Sequence, residues 1–435
     1  MLKIYKRIRQ IVVPSLLVVA ATSPGLRAQG LGNSPYSALG IGELYSSANV
    51  ANLGMGGVGI SNASVFYLNL QNPALLARRT RFTVFEVGLL GESRGLSQNI
   101  ANVQRNQSNT AVNLGYLALA FPASSRWNIS LSLKPYTYVN YSTQQTTTVP
   151  GTAYGAQYNY TGRGGLNKAT IANGVRVTKN TYIGVEASYL FGNTTYSSDS
   201  RVTLGTASSD LLVTRINRVT YGDVVFKLGA AWRPKISDTW TLNLGATYDP
   251  TTRVRAQQTD IYQQTSTTGL AITAPDTLRL NSANKNTLPQ QLQFGISAEK
   301  GNSLLFGIDV GFQKWSQYRT ADNKPGGLVD GMTIAGGAEF TPKPNSNRYR
   351  DLITYRAGFQ YNQSPYIVSG ARINDVNGSL GISLPLGSYL VNHITLALVG
   401  GQRGVLTNSQ IRERYVRIAL GFSLNDWWFR KTVVD

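Results

Sequence analysis

The chain has no cysteine among its 435 residues. That excludes a disulfide framework, a thiol nucleophile and a thiolate metal site. It has one histidine, His393, so neither a His-centred catalytic constellation nor a two-histidine metal site can be assembled. No G-x-S-x-G nucleophile elbow is present, and no catalytic residue, cofactor or metal is expected. Charge is scarce too: charged residues are 14% of the chain, against roughly 25% in soluble globular proteins. Acids are the scarcer sign, 21 against 41 basic residues, a net charge of +20. Such a balance raises nucleic acid as a partner, but the basic residues are dispersed and form no basic helix or RNP-like run. Nucleic acid is therefore not expected; the charge better suits a lumen or loops facing anionic lipid, sugar or substrate. Beyond the first residues no apolar run reaches the ~18 residues that mark a membrane helix.

What is abundant is glycine (44) and tyrosine (24). The N-terminus has the order of a secretory signal: Lys3, Lys6, Arg7 and Arg9 without an acid, an apolar stretch over 11–21, then small residues. Ala28-Gln29 is the expected cleavage point, and the chain beyond it would carry about +15. The apolar stretch is too short to span a bilayer, which needs ~20 residues.

After the signal, short runs alternate apolar and polar residues with period two, as a strand with unlike faces does. Over 126–134, Trp127, Ile129, Leu131 and Leu133 alternate with Asn128, Ser130, Ser132 and Lys134. The pattern recurs with Ile183, Val185, Ala187 and Tyr189, with Trp240, Leu242, Leu244, Ala246 and Tyr248, and with Leu304, Phe306, Ile308, Val310 and Phe312. Aromatics such as Trp127, Trp232, Trp240 and Tyr248 stand at the stripe ends, where interfacial girdles lie. About fourteen strands are expected, near 81–90, 110–122, 126–142, 153–178, 181–200, 211–234, 239–258, 288–300, 303–316, 331–342, 351–362, 370–386, 391–402 and 411–424. Short turns alternate with long connections over 91–109, 259–287 and 317–330. The fold class is thus all-β, a transmembrane antiparallel barrel of the bacterial outer membrane with both termini on the periplasmic side.

Residues 31–79 break the alternation and are rich in Gly, Ala, Ser and Asn, which suits a plug folded inside a lumen. Gly54-Met55-Gly56-Gly57-Val58-Gly59 matches the dinucleotide fingerprint, but without the strand before it and the helix after it that a nucleotide site needs. Glycines that let backbone pack closely inside a barrel explain it better. Gln71-Asn72-Pro73-Ala74 follows, a turn signal placed just before the first strand.

Together, 53–59, Ala63–Asn69 and Asn72-Pro73-Ala74 resemble the N-terminal hatch of the FadL family of outer-membrane transporters, which has a Gly-rich stretch, an NPA signature and fourteen strands. Lys314-Trp315-Ser316 is similar to the family as well. Ser34-Pro35-Tyr36-Ser37 and 424–429 resemble barrels of this type from Bacteroidota. In this chain Leu70-Gln71 separates Asn69 from Asn72, a departure from the signature. The resemblance implies a signal peptide over 1–28, a hatch over 29–79 and a barrel over 80–435. It implies uptake of a hydrophobic small molecule, of fatty acid or hydrocarbon type, with hatch movement and sideways exit into outer-membrane lipid. Gly54, Gly56, Gly57, Gly59, Asn72, Pro73 and Ala74 would form the working part of the hatch. A sideways exit needs a strand with missing ladder bonds, and Pro135 lacks an N–H. Pro135, with Gly164 and Gly165 in the next strand, marks the expected opening; a bulge at the barrel rim is the alternative. Lys134, Arg233 and Arg356 could hold a carboxylate in the lumen, or be paired with Glu186, Asp309 or Glu339. A second reading is an accessory barrel of a type 9 secretion machinery that binds partner proteins; a plain porin is a third.

Overall fold

In a computed structural model of the chain, fourteen antiparallel strands close into one barrel. The structure describes residues 33–78, 82–100, 103–152, 154–204, 207–208, 211–266, 270–386, 391–406 and 410–426; the expected signal segment lies outside them. The strands are β1 (Thr83–Ile100), β2 (Val103–Pro122), β3 (Trp127–Thr148), β4 (Gly155–Arg176), β5 (Thr181–Leu204) and β6 (Leu211–Trp232). Two broken strands follow, β7 (Trp240–Asp249 and Thr252–Ser266) and β8 (Asp276–Leu288 and Gln291–Lys300). The wall continues with β9 (Leu304–Gln313), β10 (Gly331–Phe340), β11 (Thr354–Val368), β12 (Ala371–Leu386), β13 (Asn392–Arg403) and β14 (Arg412–Asp426). Each pairs with its sequence neighbour, and β14 pairs with β1 from Asp426↔Thr83 to Arg412↔Ser97, which closes the sheet.

Closure leaves no edge over most of the wall and satisfies backbone groups without water, the condition for strands in lipid. The alternation works as expected. Leu131, Leu133, Val185, Phe226, Leu228 and Ile308 face outward and are exposed, while Ser130, Ser132, Glu186, Ser188 and Asp309 face inward and are buried. An exposed apolar belt of this kind faces lipid.

Two expectations are corrected. Residues 91–109 are not a loop: β1 runs on to Ile100 and β2 starts at Val103. Nor is 259–287 one long loop, because β7 continues to Ser266 and β8 begins at Asp276. These extensions carry polar residues on both faces. Above the bilayer both faces meet water, so the period-two signal disappears although the strands do not. The connection over 314–330 is long, as expected, but folds inward. Trp315, Tyr318 and Leu328 pack with Tyr36, Ile41, Leu190, Val254 and Ile373 in one apolar cluster near that end.

Residues 33–78 contain a short 3-10 turn (Pro35–Ala38), a two-residue ladder (Glu43–Leu44), one helical turn (Val50–Leu53) and a 3-10 segment (Pro73–Arg78). Most of this stretch is buried against the inner faces of the strands.

Candidate functional site

The wall is irregular at the seam between β2 and β3. Their ladder runs only from Pro122↔Asn128 to Leu117↔Leu133. Beyond it, no rung of the ladder joins the Val103–Tyr116 part of β2 to β3. The seam ends within the lipid-facing belt, since Leu114, Leu117, Leu131 and Leu133 are all exposed there. Just past the last rung, β3 bulges between Pro135 and Thr137 in its pairing with β4. A bulge adds an unpaired residue and bends its strand; here the extra residue is Tyr136. Opposite the bulge, Gly164 and Gly165 pair with Val139 and Tyr138. Gly164 has φ +115°, a conformation that suits glycine and strains other residues.

The inner segment takes the free edge of β3. Glu43 and Leu44 pair antiparallel with Tyr138 and Thr137. Tyr45 N donates to Tyr136 O at 2.9 Å, and Ser34 N donates to Asn140 O at 2.9 Å. For a few rungs, these residues stand where β2 would otherwise be. Behind them lies an apolar cavity of about 40 Å³, lined by Leu44, Val50, Leu53, Leu89, Leu90 and Tyr116 among others.

Charge reinforces the same place. Glu43 lies 2.6 Å from Arg403, 3.1 Å from Arg94 and 4.0 Å from Arg417. Arg94 also meets Glu92 at 2.6 Å and Glu413 at 2.8 Å, Arg403 meets Asp375 at 2.9 Å, and Arg417 bonds Glu92. Ser34 Oγ donates to Glu413 at 2.6 Å. Burial alone would raise the Glu43 pKa, but the guanidiniums of Arg403 and Arg94 outweigh it and hold the carboxyl below the usual range. Beneath this cage is a polar cavity of about 230 Å³, whose lining includes Glu43, Arg403, Lys168, Lys227, Gln293 and Gln360.

The remainder of the inner segment is fitted to a ring of small inward-facing positions. Gly174 pairs with Gly184 and Gly184 with Gly229, Gly245 pairs with Gly295, and Gly307, Gly337 and Gly358 follow in register. A Cβ on Gly174 would lie 2.6 Å from Pro73 O, and one on Gly307 2.8 Å from a Val58 methyl. Backbone of the inner segment can approach the wall only because these positions lack side chains.

Among the residues named from sequence, Gly54 lies against Gly381, and Gly56, at φ +70°, against Phe359 of β11. Gly57 faces Gln360, and Gly59 packs against Asn52 and Gln71. Gly59 N and Ile60 N donate to Asp309 at 2.6 and 2.8 Å. Asn72 is a staple: its Nδ2 donates to Ile60 O (2.8 Å) and to Ala230 O of β6 (3.1 Å), while its Oδ1 accepts from Ala74 N (3.1 Å). Pro73 opens the 3-10 segment, and Ala74 is fully buried in it. Pro135 lies at the seam; Arg233 and Arg356 do not.

The three cations read as candidate carboxylate holders already have partners. Lys134 donates to Leu70 O at 3.3 Å and lies 4.0 Å from Glu186. Arg233 bonds Glu299 and Asn243. Arg356 meets Glu339 at 2.7 Å and Ser383 at 2.6 Å, beneath the Tyr67 ring. The only histidine packs beside Phe66 and Tyr67, with Nδ1 3.0 Å from Val391 O. Sequence reasoning missed Glu43, the Asn52–Asn62–Asn69–Gln71 amide network and the glycine ring. The ring had a signal: Gly184, Gly229, Gly245, Gly307 and Gly358 each stand in the polar stripe of a strand.

A family model described as BamG matches residues 7–435. The chain belongs to the BamG family. That name differs from the family its N-terminal motif resembles, but the barrel has the FadL form. The CymD monoaromatic hydrocarbon channel superposes with a TM-score of 0.57 at 13% identity, over 89% of this chain and 99% of that one. A Pseudomonas aeruginosa FadL homologue gives 0.53 at 16%, over 88% and 98%. The Ralstonia pickettii toluene transporter TbuX gives 0.52 at 16%, over 87% and 98%. These likenesses are likenesses of fold. No curated protein matches the chain.

Proposed function

We propose that this barrel is an outer-membrane channel for hydrophobic small molecules, in which residues 33–78 act as a hatch and the β2–β3 seam is the sideways exit into lipid. The observation that carries the reading is the broken ladder above Leu117 and Leu133, with Glu43 and Leu44 of the inner segment seated on the free edge of β3. A wall that ends its own ladder inside the lipid belt, then covers the gap with a separable segment, can open by moving that segment alone. Solved barrels of the same fold described as hydrocarbon channels and toluene transporters agree with this use. Gly54, Gly56, Gly57 and Gly59 would let the hatch shift along the wall, and Asn72, Pro73 and Ala74 would be its fixed foot. Pro135, Gly164 and Gly165 would shape the exit. Since Lys134, Arg233 and Arg356 are engaged by acids, a carboxylate ligand would have to displace a native partner there.

One observation favours a second reading, an accessory barrel that binds a partner protein, as in a secretion machinery. The larger cavity next to the seam is lined by charges and amides rather than apolar side chains. Native mass spectrometry of the purified barrel, followed by extraction of bound molecules, separates the two. A co-purified fatty acid or hydrocarbon, lost on Asn72→Ala, supports the channel. An empty barrel with a stoichiometric protein partner transfers the assignment to the scaffold.

A further inference from the structure

On the outer surface, far from the seam, β7 and β8 show a feature that channel function does not explain. Arg253 and Arg255 point outward, since Val254 and Ala256 between and after them are fully buried. In register, Lys285 of β8 stands directly opposite Arg255. Like charges directly across a strand pair are destabilising. The one acid nearby is Asp223, 3.6 Å from Arg255. Among the described residues, neither Arg253 nor Lys285 forms an ion pair within 4.0 Å, and Lys285 is attracted to the same Asp223. Three cations thus share one carboxylate just beyond Tyr248 and Leu292, where the exposed apolar stripe of these strands is interrupted before Leu280 and Leu278.

Deeper on the same strands the outer wall is concave. A groove of about 500 Å³ is lined by Ala230, Ala246, Phe294, Ile296, Ile308 and Val310 among others, with almost no polar surface. Ala246 and Phe294 provide a small floor and an aromatic flank. From Arg255 to Ala246 is nine residues, about 30 Å of strand. At the ~40° tilt usual for such barrels this is ~23 Å of depth, close to half the ~40–45 Å thickness of a bilayer with its headgroups.

We propose that Arg253, Arg255 and Lys285 form a binding site for the phosphate of an anionic lipid, whose acyl chains run down β7 and β8 into the groove. A phosphate between Arg255 and Lys285 converts their repulsion into two charge-assisted contacts. The cations sit at headgroup height and the groove at chain depth, so one amphiphile satisfies both. This site is independent of the seam, and its occupancy does not depend on transport.

The test uses the full-length barrel in detergent with a bisphosphorylated diglucosamine lipid as probe, read by native mass spectrometry. The wild type should retain the lipid. Arg253→Gln/Arg255→Gln/Lys285→Gln should weaken retention on the order of 100-fold, at about fivefold per cation near a membrane surface. Ala246→Phe, which fills the groove and leaves the charges alone, should weaken it several-fold. Inorganic phosphate at millimolar concentration should compete poorly. Equal retention by the triple variant would overturn the proposal. So would phosphate competing as well as the lipid while Ala246→Phe has no effect, which would make this a free-anion site. Lys285→Gln alone alters one exposed side chain and keeps the test open should the triple variant fail to fold.

Discussion

The two edges of β3 contrast sharply. On one edge the strand pairs with β4 from Trp127 to Thr148, absorbing the bulge at Pro135–Thr137 as a single register shift. On the other it pairs with β2 only from Asn128 to Leu133. Both edges belong to the same residues, so local propensity cannot account for the difference. What differs is the neighbour. β4 is matched to the bulge by glycines at 164 and 165, whereas β2 bulges elsewhere, its shift against β1 falling at Gly88/Leu89. The inner segment then supplies the rungs that β2 does not. A barrel can in this way carry a wall element that is not one of its strands.

That contrast can be broken most severely at Glu43. Glu43→Gln removes the anion that ties the inner segment to Arg94 and Arg403, yet leaves the arginines facing Glu92, Glu413 and Asp375. Hydrogen bonds to charged groups contribute roughly 1.5–3 kcal/mol each. Hydrogen exchange over residues 34–48 should therefore accelerate by about two orders of magnitude, with the barrel strands unchanged.

The glycine ring comes next. Gly358→Ala drives a methyl into the backbone of Met55 and Gly56 and should cost about 1–3 kcal/mol by overpacking. Gly400→Ala, where nothing lies within 4 Å, should be close to neutral. Thermal melts of the two variants compare an inward wall position that meets the segment with an outward one that meets nothing.

Acid should loosen the seam only late. The folded pKa of Glu43 is lowered, so its contribution is complete above the ordinary carboxylate value of ~4.3 and is lost as pH falls through the lower folded value. Protease release of the inner segment should be flat from pH 8 to 5 and rise only below about pH 4. The same titration of Glu43→Gln should lack this acid limb. The smallest effect is expected from Pro135→Ala. Restoring one donor while the bulge persists should reduce uptake of a hydrophobic tracer by no more than a few-fold, with unchanged melting.

The belt of the barrel was legible in the sequence because lipid on one side and a polar lumen on the other impose a strict alternation. Fourteen strands and most of their lower ends follow from it. The upper extensions of β1, β2, β7 and β8 were hidden, since Asn, Gln, Thr and Ser on both faces read as loop. Pro135 pointed to the seam through its missing donor, but the ladder that ends there depends on a partner strand no local pattern specifies. Glu43 was invisible for a similar reason. It is one acid in an irregular segment, and its three arginines stand on β1, β13 and β14, at least 51 positions away.

The central claim is that the inner segment closes the seam and must leave it for a molecule to pass. Leu44 and Thr137 face each other across that short ladder, at the ~4.5–5.5 Å Cα spacing of antiparallel partners, which a disulfide can bridge. With no native cysteine to interfere, Leu44→Cys/Thr137→Cys can be oxidised cleanly and assayed for uptake of a hydrophobic tracer into proteoliposomes. The account predicts uptake that is abolished when the pair is oxidised and restored by reductant. Undiminished uptake through the locked barrel would contradict it.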